Sequence, residues 1–168
     1  KYCCAIYCWI YHFNRVFGFE TKIKSKDTRW NSELYYHQSL DNQKSKDRIS
    51  YGANLSYKSP SFQTTGYFYA VGENFNPEVG FVPRKDFMFL SPSVKYIFYP
   101  NKSSVNSHGP EIDYEMYFDP INGTTDYDID IDYNVRFRSD ANITIKNNRI
   151  YTKLLYDFDP SRSDGEPL

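Results

Sequence analysis

The sequence lacks an excess of charge of either sign, and it lacks any long apolar run. Its 20 Lys and Arg residues are matched by 21 Asp and Glu residues, so the net charge is −1. This balance argues against a protein that binds nucleic acid through bulk positive charge. No apolar run approaches the roughly 20 residues that a membrane-spanning helix needs, which excludes helical membrane spans. The three cysteines, Cys3, Cys4 and Cys8, are odd in number and two are adjacent, so no disulfide framework is indicated.

The sequence is instead rich in aromatic side chains in polar surroundings. It has 17 Tyr, 13 Phe and 2 Trp residues, although its mean hydropathy is −0.70. Disordered chains contain few aromatic residues. The composition therefore predicts an ordered protein in which each element has one aromatic and one polar face.

Strict alternation of apolar and polar residues predicts β-strands. Every second residue is apolar from Asp126 to Arg138, and the same alternation occurs over 17–24 and 49–58. This period of two is typical of a strand, and no segment has a helical period. Further β-rich runs lie at 30–38, 62–71, 87–98, 112–118 and 143–158. The pattern predicts about eight strands, with residues 2–13 as a candidate ninth strand.

The strands and their connections favour one all-β architecture. Several runs last roughly 10 to 13 residues, close to the ~9–11 residues of a tilted transmembrane strand and longer than the ~5–6 residues usual in soluble domains. Predicted connections are short at 25–28, 59–61, 100–104 and 139–141, and longer at 39–47, 72–86 and 119–125. Such alternation is typical of outer-membrane barrels. We predict an antiparallel up-and-down transmembrane β-barrel segment, incomplete at about eight strands. The alternative is a soluble antiparallel sheet.

The polar positions of two neighbouring strands predict an acidic wall. The turn at Asn122-Gly123 would place seven carboxylates on one face of the sheet. They are Glu111, Asp113, Glu115, Asp126, Asp128, Asp130 and Asp132. Facing like charges need cations, water or basic partners. Candidate basic partners are Lys22, Lys24, Lys58, Lys95, Arg136 and Arg138. The carboxylates are candidate Ca²⁺ ligands, and the alternative is a solvated, charge-balanced interior.

No catalytic motif is present. His12, His37 and His108 are far apart in the sequence, and none lies beside a nucleophile motif or a phosphate-binding loop. An enzyme is therefore the less favoured interpretation, and no catalytic residue or cofactor beyond Ca²⁺ is predicted.

The long connection at 72–86 is unusually apolar for an exposed loop. Phe75, Val79, Phe81 and Val82 predict that it folds back onto the barrel or into its mouth. For Arg84 and Asp86 two interpretations stay open. One is an interaction or gating point in the outer loop, and the other is an internal salt bridge or a pairing with the barrel wall.

The stretch Gly-Glu-Asn-Phe-Asn-Pro-Glu-Val-Gly-Phe-Val-Pro-Arg-Lys-Asp closely resembles the hallmark of a known family. The family is catalogued as domain of unknown function 5916 and comprises predicted outer-membrane β-barrels of Gram-negative bacteria. The motif positions are Asn74, Phe75, Asn76, Pro77, Glu78, Gly80, Phe81, Pro83, Arg84 and Asp86. The resemblance implies that residues 14–160 are an internal part of a barrel domain. Residues 1–13 are then an uncertain N-terminal stretch and residues 161–168 a loop or truncated end.

The resemblance also implies a location and a role. Family members usually carry an N-terminal module similar to carbohydrate-binding family nine, which this chain lacks. The implied protein is a non-enzymatic segment of a cell outer-membrane barrel that contacts lipid and serves surface binding or handling of carbohydrate. The alternatives are a soluble all-β carbohydrate-binding module and part of a glycoside-hydrolase-like enzyme.

Overall fold

The protein forms one antiparallel sheet of eight strands. The structure is a computed structural model that describes residues 13–42, 46–78, 80, 82, 84–101 and 103–154. Its strands are β1 (Asn14–Lys24), β2 (Trp30–Asp41), β3 (Ile49–Lys58), β4 (Phe62–Val71), β5 (Phe87–Tyr96), β6 (Val105–Asp119), β7 (Gly123–Phe137) and β8 (Asn142–Thr152). The candidate ninth strand lies outside the described residues apart from Phe13, and so does the end of the predicted run at 143–158.

Each strand pairs with its neighbour in the sequence, in the order β1 to β8. All seven pairings are antiparallel. The all-β, up-and-down prediction is therefore confirmed. The sheet is not closed into a barrel, since β1 and β8 are edge strands within the described residues. None of the described residues forms a helix that is long and apolar enough to cross a membrane.

Every predicted strand is present, but several boundaries were wrong. β6 begins at Val105, before the predicted start at Ile112, and the added residues, which include Gly109 and Pro110, pair with β7. The predicted connection at 119–125 shrinks to residues 120–122, and the one at 100–104 grows to 97–104. The short and long connections therefore alternate less regularly than predicted.

The strand register sorts side chains onto two faces. Apart from the ends of the β6–β7 pair, where the register shifts after Val105 and after Tyr117, the apolar face carries the odd-numbered residues of β1, β3, β7 and β8 and the even-numbered residues of β2, β4, β5 and β6. For example, Ile112 lies opposite Ile131 on this face. The polar face carries the alternate residues. Within the strands, the charged residues of the apolar face are Arg15 and Arg149, which lie on the two edge strands.

The small core lies on the polar face, at the end of the sheet from which the long connection emerges. Val71, Phe75, Phe87 and Phe89 are its buried members. Tyr69, Val82 and Tyr117 pack against them. Residues 72–86 therefore supply part of the core, because Phe75 and Val82 come from this connection.

Candidate functional site

The apolar face leaves an extensive hydrophobic surface uncovered. Among the described strand residues, every exposed large hydrophobic side chain lies on this face except Val16, Tyr67 and Ile150. The exposed members on this face are Phe17, Phe19, Ile23, Trp30, Leu34, Tyr51, Leu55, Leu90, Val94, Tyr96, Ile112, Ile131, Tyr133, Ile143, Ile145 and Tyr151. Soluble monomers rarely expose contiguous apolar patches beyond a few hundred Å², so a surface of this extent indicates an apolar partner or solvent.

Aromatic rings form a continuous row across the apolar face, near the end opposite the long connection. We call the row of Trp30, Tyr57, Phe62, Tyr96, Phe98, His108 and Tyr133 the aromatic row. Consecutive ring centroids are 4.7–6.4 Å apart. His108 Nδ1 and the Tyr133 hydroxyl are 2.7 Å apart. Rows of amphipathic rings are typical of strands at the boundary between lipid and water.

The polar face carries the predicted acidic wall. Three pairs of carboxylates lie directly opposite each other across β6 and β7, namely Glu111 with Asp132, Asp113 with Asp130, and Glu115 with Asp128. Asp126 continues the series opposite Tyr117. The register therefore places all seven carboxylates on the polar face, the common face that the alternation predicts.

Basic groups from other elements compensate part of this negative charge, and an amide donates hydrogen bonds to two of the carboxylates. Lys95 Nζ lies 2.7 Å from Glu111, and Lys146 Nζ lies 3.1 Å from Asp132. Asn148 Nδ2 donates hydrogen bonds to Asp128 and Asp130 at 2.6 and 2.9 Å. Sequence reasoning missed Lys146 and Asn148, although the alternation of β8 places both on the polar face.

The other predicted basic partners do not contact the acidic wall. Lys22 pairs with Glu33 at 3.0 Å, and Arg136 pairs with Asp140 at 3.4 Å. Lys24, Lys58 and Arg138 form no ion pair with the described residues. No group of three or more His, Cys, Asp or Glu side chains in the described ranges could hold a metal ion. The Ca²⁺ hypothesis therefore gains no geometric support.

The long connection lies on the polar face instead of extending away from the sheet. We call its described residues, 72–78, 80, 82 and 84–86, the strap. Phe75 is only 6% exposed because it packs into the core. The structure thus agrees with the expectation that the loop folds back onto the sheet.

One end of the strap is bound to the first two strands. The Asn76 backbone N–H donates to Ser39 Oγ at 3.0 Å, and Ser39 is completely buried. Asn14 Nδ2 donates to the Asn76 carbonyl at 2.7 Å. Asn74 contacts the connection between β2 and β3, where its Nδ2 donates to the Lys46 carbonyl at 3.0 Å.

The other end is bound to β6 and β7 through Arg84. Its guanidinium lies over the rings of Phe87 and Tyr117, at 5.4 and 5.2 Å from their centroids. It donates to Asp126 Oδ2 at 3.1 Å and to Thr125 Oγ1 at 2.9 Å. Thr125 is 1% exposed. Of the two interpretations left open for Arg84, this geometry corresponds to pairing with the sheet.

The remaining motif residues have smaller structural roles. The Glu78 backbone N–H donates to Asn14 Oδ1 at 3.4 Å, and the Gly80 N–H donates to the Pro77 carbonyl at 2.9 Å. Asp86 has a φ of 56° where the strap joins β5. Phe81 and Pro83 lie outside the described residues.

No family model, curated protein or solved structure matches this chain. The resemblance to domain of unknown function 5916 therefore stays a prediction.

Proposed function

We propose that this chain forms part of the wall of a bacterial outer-membrane β-barrel, with its apolar face against lipid and its polar face lining an aqueous interior. The single observation that carries the proposal is the one-sided distribution of exposed hydrophobic side chains, bordered by the aromatic row. Barrel strands in membranes have this division into a lipid-facing and an interior-facing set.

Strand length supports the same assignment. The strands contain 10 to 15 residues. A tilted strand needs about 9–11 residues to cross the hydrocarbon core. Every strand of the sheet is therefore long enough to span a bilayer.

The open edges place a requirement on the proposal. An unpaired strand edge cannot face hydrocarbon, because its N–H and C=O groups have no water to bond. β1 and β8 must therefore each pair with another strand in the assembled wall. Arg15 and Arg149 lie on these two edges, where an added strand would supply neighbours for them.

The carbohydrate role has no support of its own in the described residues. It depends on the family resemblance and stays a prediction, as does a non-enzymatic character.

Neighbouring residues on opposite faces provide the test. Leu90 lies on the apolar face and Ser91 on the polar face of β5. Leu90→Cys and Ser91→Cys would be made in the full-length protein after Cys3, Cys4 and Cys8 are changed to Ser. Each would be labelled with an environment-sensitive fluorophore and reconstituted into vesicles with lipid-attached quenchers. We expect strong quenching at residue 90 and little at residue 91.

Two results would contradict the proposal. One is equal quenching at both positions. The other is a full-length protein that stays monodisperse without detergent and does not fractionate with outer membranes, which would favour the soluble all-β module.

A further inference from the structure

We propose that the strap is a fixed constriction of the polar interior, and that Arg84 sets the charge selectivity of the passage at that level. The inference rests on the proposed barrel wall, since only a polar face that lines an interior can be constricted. It concerns the solute that passes, which the wall assignment leaves open.

The strap is attached to the polar face near both of its ends. Its contacts on β1 and β2 involve the polar-face residues Asn14 and Ser39, and its contact on β7 involves Asp126. The described residues of the strap therefore contact the polar face at the first, second and seventh strands. A segment held in this way occupies space that the interior of a curved wall would otherwise leave to water.

The residues that anchor the strap are buried. Phe75 and Phe87 are each 6% exposed, and Ser39 and Thr125 are almost inaccessible to solvent. Detaching the strap would expose this core and leave the polar groups of Ser39 and Thr125 without these partners, which is unfavourable. The strap therefore stays in place during permeation.

Arg84 brings a positive charge to the strap. Its guanidinium is about one-third exposed, so it is both anchored and in contact with solvent. It lies at the end of the acidic wall, where Asp126 is its partner and Glu115 and Asp128 form the next pair along the strands. Charged side chains at a constriction determine which ions pass. Arg84 therefore lowers the preference for cations that the carboxylates create.

The experiment measures single-channel currents of the full-length protein in planar lipid bilayers under a KCl gradient. In the first variant, Arg84→Ala, we expect the reversal potential to shift toward that of an ideal cation-selective pore. Arg15→Ala is the matched control, because Arg15 belongs to the same end of the sheet but lies on the apolar face. It should leave the reversal potential unchanged.

The second variant removes the strap. Val71 and Phe87 are register partners, so residues 72–86 can be replaced by an Asn-Gly turn that joins β4 to β5. We expect a larger unitary conductance, or conductance where the unmodified protein has none. Membrane insertion is checked for both variants by vesicle flotation.

Each result decides the matter. If the turn variant and the unmodified protein have the same conductance, the constriction is overturned. This includes the result that neither protein conducts although both insert. An unchanged reversal potential in Arg84→Ala overturns the role of its charge. Failure of the unmodified protein to insert would contradict the barrel wall itself, and the inference would fail with it.

Discussion

At the scale of single residues, Gly52 occupies a position where a Cβ would lie too close to its neighbours. It lies opposite Tyr35 and Tyr69 on the polar face. A Cβ at residue 52 would lie 2.5 Å from Tyr35 Cε1 and 2.8 Å from the Phe68 carbonyl oxygen. Gly66, in contrast, has no such atom within 4 Å.

We therefore predict that Gly52→Ala lowers the free energy of unfolding by about 1–3 kcal/mol, as overpacking usually does. Gly66→Ala is the control and should stay within about 1 kcal/mol of the unmodified protein, because alanine also restricts the unfolded chain. The measurement is urea unfolding followed by circular dichroism. Equal effects of the two substitutions would show that Tyr35 moves aside without loss.

Also at this scale, the turn between β1 and β2 is organised by a carboxylate. The Ser25 hydroxyl donates to Asp27 Oδ1 at 2.6 Å, and the Arg29 backbone N–H donates to the same oxygen at 3.3 Å. These hydrogen bonds, led by that of Ser25, lower the pKa of Asp27 below its ordinary value. Because the folded pKa is the lower one, the stabilisation exists above the unfolded pKa and is lost as pH falls through the folded pKa.

We predict that Ser25→Ala raises the pKa of Asp27, as measured by NMR titration of its carboxyl carbon. Ser25→Thr keeps the hydroxyl and should preserve the lowered pKa. If Ser25→Ala left the pKa unchanged, the Ser25 hydrogen bond would not be its cause.

At the scale of elements, one amide of β8 contacts two carboxylates of β7. Asn148 donates to both Asp128 and Asp130, which face Glu115 and Asp113 across β6 and β7. We predict that Asn148→Ala lowers the free energy of unfolding by about 1 kcal/mol, since hydrogen bonds to charged groups contribute ~1.5–3 kcal/mol and exposure weakens them. The loss should shrink at high salt, which screens the repulsion among the carboxylates.

Asn147→Ala is the matched control. Asn147 is adjacent on the same edge strand but lies on the apolar face, opposite Ile131. It should change the unfolding free energy less and without dependence on salt. Equal effects at the two positions would mean that the loss comes from the edge strand itself and not from the carboxylates.

The elements also show what the sequence could predict. Alternation predicted three of the eight strands and the common face of the seven carboxylates, because a period of two is visible locally, and β-rich composition predicted the other five strands. The sequence did not predict the first residues of β6, since Gly109 and Pro110 are residue types that are rare inside strands. The contacts of Arg84 with Asp126 depend on tertiary structure, and no local pattern identifies them.

At the scale of the whole molecule, the two faces have opposite relations to solvent. The polar face carries the acidic wall and also most of the buried core, because the strap covers it. The apolar face carries almost all of the exposed hydrophobic surface. Alternation predicts two faces but not which of them a connection covers. The burial of the core on the polar face therefore could not be predicted from the individual strands.

A charged substitution on the apolar face should have a large effect on stability if that face contacts lipid and a small one if it contacts water. Leu55 lies on the apolar face and is 50% exposed. Its register partner on the next strand is Gly66. Thr65, the neighbour of Gly66, lies on the polar face. If the apolar face contacts lipid, Leu55→Lys should lower the free energy of unfolding from vesicles by about 1–3 kcal/mol, because Leu55 lies between the aromatic row and the bilayer midplane, where a lysine costs about 2–4 kcal/mol. Thr65→Lys should change it by about 0.5 kcal/mol or less, as surface substitutions do. In water an exposed leucine can be replaced by lysine with little loss, so a small and equal effect at both positions would contradict the lipid-facing assignment.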